Sequence, residues 1–216
     1  MKTRDFKTSL YNEMASVTKA LGNPHRLEIL DLIAQGPAPV EYIAANTTLS
    51  IASASQHLQV LKNAGLAETE RQGKYIYYKL SNDEVFQTWC ALRRLGFSLN
   101  NEINTLLSDY RKKKGTLEAV STDQLIDKMK RDEVILLDVR PEEEYKNGHI
   151  KNALSYPGKD MKTRMDELPK DKEIVAYCRG PLCLMADETV ELLKKHGFTA
   201  SRLDKGYADR LNTEKV

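Results

Sequence analysis

The stretch Leu49-Ser50-Ile51-Ala52-Ser53-Ala54-Ser55-Gln56-His57-Leu58-Gln59-Val60-Leu61-Lys62-Asn63-Ala64-Gly65-Leu66 reads as one capped helix with two unlike faces. Ser50 can accept from the first free amides, and Gly65 stops the run. Ala54, Leu58 and Leu61 fall on one side at helical spacing. Ser53, Ser55, Gln56, His57 and Gln59 fall on the other, and all carry short or planar hydrogen-bonding groups. A helix with an apolar back and an uncharged polar front suits the DNA major groove, where base edges present donors and acceptors.

Working outward, Leu10, Met14, Val17 and Leu21 form an apolar stripe that ends at Gly22-Asn23-Pro24. Pro24 suits the first turn of a second helix, with Leu27, Leu30 and Ile33 on its apolar face and Gly36-Pro37 as its stop. A short helix is expected around Val40–Ala45. Downstream, Glu68 to Leu80 alternates as two strands around Arg71-Gln72-Gly73-Lys74. The tip residues Arg71 and Lys74 are placed to meet phosphate or a minor groove. Helices, a tight turn, a reading helix and a hairpin make the outline of a winged helix-turn-helix.

Next, Val85, Trp89, Leu92, Gly96, Leu99, Ile103, Leu106 and Tyr110 recur at alternating spacings of four and three. That heptad stripe predicts one helix from Asp83 to Lys113, a rod of about 45 Å at about 1.5 Å per residue. Such a rod outruns its own domain, so a homodimer is expected. Arg111-Lys112-Lys113-Lys114-Gly115 then reads as a helix end and marks a join, dividing the chain into 1–114 and 115–216.

The runs Ala20-Leu21-Gly22-Asn23-Pro24-His25-Arg26-Leu27-Glu28-Ile29-Leu30 and Leu49 to Leu66 together resemble the ArsR (arsenic repressor type) transcriptional regulators. The resemblance covers about residues 10–110. It implies a dimeric repressor that leaves its double-stranded operator DNA when an inducer binds. This chain departs from the metal-sensing members. Val40-Glu41-Tyr42-Ile43-Ala44-Ala45 has no cysteine pair, and 83–113 has no histidine, so no metal site is expected. Cys90 is the only thiol of this half and is either an inert core residue or a sulfur-reactive switch.

After Gly115 the pattern becomes α/β. Asp123–Arg131 is expected as a helix, Val134–Val139 and Glu173–Tyr177 as buried strands, Cys183–Lys195 as a helix and Ala200–Leu203 as a strand. This alternation predicts a parallel sheet with its site at the strands' carboxyl ends. At one such end lies Cys178-Arg179-Gly180-Pro181-Leu182-Cys183. A strand-to-helix loop can lower a thiol's pKa through inward amides, the helix dipole and a cation such as Arg179.

Leu136-Leu137-Asp138-Val139-Arg140-Pro141, Glu144-Tyr145 and Gly148-His149-Ile150-Lys151-Asn152-Ala153 resemble the opening motif of rhodanese (thiosulfate sulfurtransferase) domains, over about 117–212. The resemblance implies that Cys178 takes a sulfane sulfur as a persulfide and passes it to a thiol acceptor, with loop amides holding the anion. Asp138, Arg140 and His149 read as scaffold. Cys183 either resolves the persulfide or only begins the helix. Arg210 stands where a Trp is common. A phosphatase use of the loop fails, because residues 182–185 supply no Arg.

Composition fits this division. The 216 residues are 41% hydrophobic and 30% charged, with a net charge of +2. Residues 1–115 carry fifteen Lys and Arg against eleven Asp and Glu, a net of +4, and the remainder nets −2. The longest uncharged stretch, Tyr42 to Leu61, holds nine polar residues among twenty, which excludes a membrane span there. Met1–Leu10 is charged and lacks an apolar run, so no signal peptide is expected. Three cysteines are too few for a disulfide framework, which points to the reducing cytoplasm.

The expected fold is therefore two domains, a mainly α winged helix-turn-helix followed by an α/β rhodanese-like domain with a parallel sheet. The expected function is a repressor whose operator binding follows the sulfur state of Cys178, supplied by a small sulfur donor. Two alternatives stand beside it: a sulfurtransferase enzyme with an autoregulatory DNA-binding half, and a sensor of arsenic or another thiophilic oxyanion. No cofactor is expected.

Overall fold

A computed structural model describes residues 3–209, so Arg210 lies outside the described residues. The chain divides into two compact units between Leu92 and Arg93.

The first unit begins with α1 (Thr3–Leu21), α2 (Pro24–Ile33), β1 (Ala38–Pro39), α3 (Val40–Ala45) and α4 (Ile51–Asn63). Asn23 Oδ1 accepts from the Arg26 amide and Ser50 Oγ from the Ser53 amide, each at 3.2 Å, so both caps read from sequence form. The hairpin strands β2 (Ala67–Gln72) and β3 (Tyr75–Leu80) pair antiparallel from Ala67↔Leu80 to Gln72↔Tyr75, and β1 adds to β3. The core is built from Ile29, Leu30, Ile33, Ile43, Ala54, Leu58 and Leu61. α3 and α4 thus form the helix-turn-helix, and β2–β3 form the wing.

The expected single rod is not continuous. α5 spans Asp83–Leu99 and α6 spans Asn101–Lys114, with Asn100 extended between them at φ −118°. Asn100 Oδ1 accepts from the Glu102 amide at 3.0 Å and starts the second helix as its cap. Asn104 Nδ2 donates to the Phe97 carbonyl at 2.7 Å, satisfying a group that the break frees. The heptad spacing continues across this break, which is why periodicity alone hides it. Along the stripe Val85 and Trp89 are buried, whereas Leu99 and Leu106 are exposed.

The second unit continues through β4 (Ala119–Val120), α7 (Thr122–Lys130), β5 (Val134–Asp138), α8 (Glu142–Asn147), β6 (Leu154–Ser155), α9 (Met161–Arg164), β7 (Glu173–Tyr177), α10 (Met185–Lys195) and β8 (Ala200–Leu203). The sheet is wholly parallel in the order β4-β8-β7-β5-β6. β7 is its middle strand and is covered on both faces, which explains its unbroken apolar run Ile174-Val175-Ala176-Tyr177.

Composition puts the join at Gly115, yet packing puts it 22 residues earlier. The reason lies on α6. Arg111 pairs with Asp187 of α10 at 3.4 Å and Lys114 with Glu191 at 2.6 Å, while Lys194 donates to the Gly115 carbonyl at 2.6 Å. The basic run that looks like a solvated helix end is in part a docking surface. No helix among the described residues is long and apolar enough to cross a membrane.

Candidate functional site

Two surfaces collect the residues singled out by sequence. On α4, Ser55, Gln56 and Gln59 are exposed opposite buried Ala54, Leu58 and Leu61, while Ser53 and His57 are half-buried. Gln59 Nε2 donates to Asn63 Oδ1 at 2.6 Å. The His57 ring tilts against His25 with centroids 5.5 Å apart. Burial, then the neighbouring His25 and Arg26, hold the His57 pKa down. Arg26 donates to the carbonyls of Ala20 and Lys19 and so closes the end of α1. At the wing tip Arg71 and Lys74 are both exposed. Arg71 Nε donates to the Gly73 carbonyl at 3.0 Å, and Lys74 sits over the Tyr75 ring at 5.2 Å. Lys62 reaches from α4 to Thr69 Oγ1 of the wing at 3.0 Å.

Cys90 is buried on α5 next to Trp89, whose Nε1 donates to Asp31 Oδ1 at 3.0 Å. It belongs to the first unit, whereas the other two thiols belong to the second.

Those two thiols share one loop at the carboxyl end of β7. Cys178 is buried and Cys183 half-buried, and their side chains interact directly. Cys178 Sγ also donates to the Cys183 carbonyl at 3.4 Å. Backbone amides face both sulfurs: Gly180 and Ala186 toward Cys178, Arg179 and Met185 toward Cys183. Burial, followed by the Cys183 side chain, pushes the Cys178 thiol well up. The Cys178 hydrogen bond, with the amides and the Arg179 charge behind it, holds Cys183 down. The lowered thiol expected at Cys178 thus lies five residues on, at Cys183. Two close thiols cannot both ionise cheaply, so what holds one down pushes the other up.

Arg179 does not point its guanidinium only at the sulfurs. It forks onto buried Glu144 of α8 at 2.7–3.2 Å, a half-buried pair that anchors the loop. Gly180 packs so closely that a Cβ would lie 3.1 Å from Arg93 Nη1 and 3.3 Å from Asp209 Oδ2. Arg93 itself pairs with Asp209. Gly206 is tighter still, since a Cβ there would stand 2.1 Å from the Arg179 carbonyl oxygen. The Tyr207 amide donates to the Cys178 carbonyl, and the Cys183 amide to the Gly180 carbonyl, each at 3.0 Å. Pro181 offers its carbonyl outward to Arg111, and Leu182 is exposed at the loop's outer edge.

Asp138, Arg140 and Tyr177 form a fully buried network. Arg140 Nη2 lies 2.6 Å from Asp138 Oδ2 and 2.7 Å from the Gly148 carbonyl, and Tyr177 donates to Asp138 at 2.7 Å. His149 stacks on Tyr145 at 3.8 Å. These groups fix the strand ends and touch neither sulfur in any of these bonds. Sequence reasoning found Cys178, Cys183 and Arg179, but missed Glu144 as their anchor and Arg93, Arg111, Asp187 and Gly206 as the loop's frame. Only Glu144 left a local signal, an acid in a first helical turn beside a motif.

Residues 23–69 match the family of bacterial regulatory proteins, arsR family, and residues 121–211 match the rhodanese-like domain. The chain is 38% identical over 203 residues to HTH-type transcriptional regulator Rv0324 of Mycobacterium tuberculosis, covering 94% of this chain and 88% of that protein. It is 40% identical over 74 residues to transcriptional repressor SdpR of Bacillus subtilis, covering 34% of this chain and 81% of that one. Among solved structures, the homodimeric winged helix-turn-helix DNA-binding domain (fragment 1–100) of Mb0332 from Mycobacterium bovis is 37% identical. It covers 46% of this chain and 91% of that one, with a TM-score of 0.43.

Proposed function

Because the chain belongs to the ArsR family of bacterial regulatory proteins and carries a rhodanese-like domain on the same polypeptide, we propose that it is an operator-binding repressor governed by the sulfur state of its Cys178 loop. The observation that carries this reading is the pair of interacting thiols in an amide-lined loop at the end of β7. Residues 1–114 bind double-stranded operator DNA as a homodimer, and residues 115–216 receive sulfur in the reducing cytoplasm. α4 reads base edges through Ser53, Ser55, Gln56, His57 and Gln59, while Arg71 and Lys74 meet phosphate. The exposed apolar side chains Leu10, Met14 and Val17 of α1, with Leu99 and Leu106, supply the dimer contact.

The loop chemistry follows from the pair. The Cys178 thiol gives its proton to the Cys183 thiolate and attacks the outer sulfur of a donor R–S–SH. The Cys178–sulfur bond forms, the R–S bond breaks, and RS⁻ leaves. The persulfide sits among the amides of Arg179, Gly180, Met185 and Ala186 and can pass its outer sulfur to a thiol acceptor, restoring Cys178. Cys90 is the second candidate for receiving that sulfur, on the helix that follows the wing.

Gel-shift titration with and without a polysulfide donor tests the reading, run beside turnover with thiosulfate and cyanide. Operator release without turnover supports a sensor. Turnover with operator affinity indifferent to sulfur supports a sulfurtransferase instead.

A further inference from the structure

The cysteine loop is held from outside the sheet that carries it. Arg111 belongs to α6, which precedes the first strand of that sheet, yet its Nη2 donates to the Pro181 carbonyl at 2.9 Å. Its Nε lies 3.4 Å from Asp187 Oδ1, on the first turn of the helix that the loop opens. Asp187 is buried and also accepts from Thr116 Oγ1 at 2.7 Å and faces Arg202 at 3.5 Å. One guanidinium therefore spans both ends of the segment that contains the second thiol.

We propose that Arg111 is a positioning residue for the Cys178–Cys183 loop, so that the sulfur site is completed by the helix preceding the rhodanese-like fold. This rests on reading that loop as the reactive site. The peptide from Pro181 to Leu182 is planar and trans, so its C=O and N–H point to opposite sides. Fixing the Pro181 oxygen toward α6 turns the Leu182 amide away from α6 and sets the path of the chain into Cys183. Charge acts in the same direction. Two guanidiniums, Arg111 and Arg202, face the Asp187 carboxylate, so Arg111 adds a positive charge beside the loop. Burial, then the Arg111 charge, lowers the Arg202 pKa, while Asp187, Asp204 and Cys178 raise it, so Cys178 is within electrostatic reach of the cluster.

The test is the pH–rate profile of iodoacetamide alkylation at each cysteine, read by peptide mass on the full-length chain. Arg111→Gln is expected to move the Cys183 profile to higher pH and slow its labelling at neutral pH about tenfold, the effect of roughly one pKa unit. Arg111→Lys keeps the charge but cannot fork between Pro181 and Asp187, so its profile falls between the two. Lys114→Gln loosens the same helix from Glu191 without touching the loop and leaves the profile in place. An unchanged profile in Arg111→Gln overturns the proposal, as does an equal shift in Lys114→Gln, which would reduce the effect to helix docking. If Arg111→Gln does not fold, Arg111→Lys decides, and a wild-type profile there overturns it. No DNA and no sulfur donor enter this measurement, so it stands or falls separately from operator release.

Discussion

The reading helix and the cysteine loop solve opposite problems. α4 shows its chemistry on an exposed face, and its side chains act one at a time over an apolar back. The loop hides its chemistry and builds it from backbone: amides line it, Gly206 has no space for a Cβ, and ion pairs from Glu144, Arg93 and Arg111 fix its frame. Damage to the first should therefore stay local. Damage to the second should spread.

The largest expected effect tests that spread. Asp138→Ala leaves Arg140 buried and uncompensated and should cost about 3–5 kcal/mol, read by denaturant unfolding. Gly206→Ala follows at about 3 kcal/mol, because the clash is with backbone at Arg179 and Gly180 and no side chain can swing aside. A melt like wild type for either would break the contrast. On the other side, Gln56→Ala should weaken operator binding by about 1–3 kcal/mol, roughly fivefold to 150-fold, with no change in unfolding. An equal loss of stability would show that α4 is not the independent surface described.

A smaller effect sharpens the loop itself. Cys183 is held down and Cys178 pushed up, so alkylation should reach Cys183 before Cys178 as pH rises. Cys183→Ser removes a neighbour that raises Cys178 and should move the Cys178 profile to lower pH, while burial keeps it above an ordinary thiol. Mass-resolved labelling measures both, and labelling of Cys178 first would reverse the assignment.

What the sequence discloses follows the same contrast. The helix-turn-helix, the wing and the buried strands are legible because caps, periodicity and turn residues are local: Ser50, Asn23, the Gly73 turn and the run before Cys178. The break at Asn100 was hidden because the heptad spacing runs through it, although the Asn100-Asn101 pair was the available signal. β4 and β6 are two residues each, too short for any pattern. The frame of the cysteine loop was illegible for a different reason. Arg111 and Pro181 lie 70 positions apart, and a bond between a side chain and a distant carbonyl leaves no mark in either neighbourhood. The charge order of the thiols depends on burial, which spacing does not report.

The central claim is that sulfur at the loop governs the operator. The most direct measurement is a gel-shift titration with polysulfide, with the sulfur load of each cysteine read by intact and peptide mass, on wild type and Cys178→Ser. The account predicts operator release that rises with sulfur on the loop in wild type and is absent at the same dose in Cys178→Ser. Equal release by both proteins would contradict it.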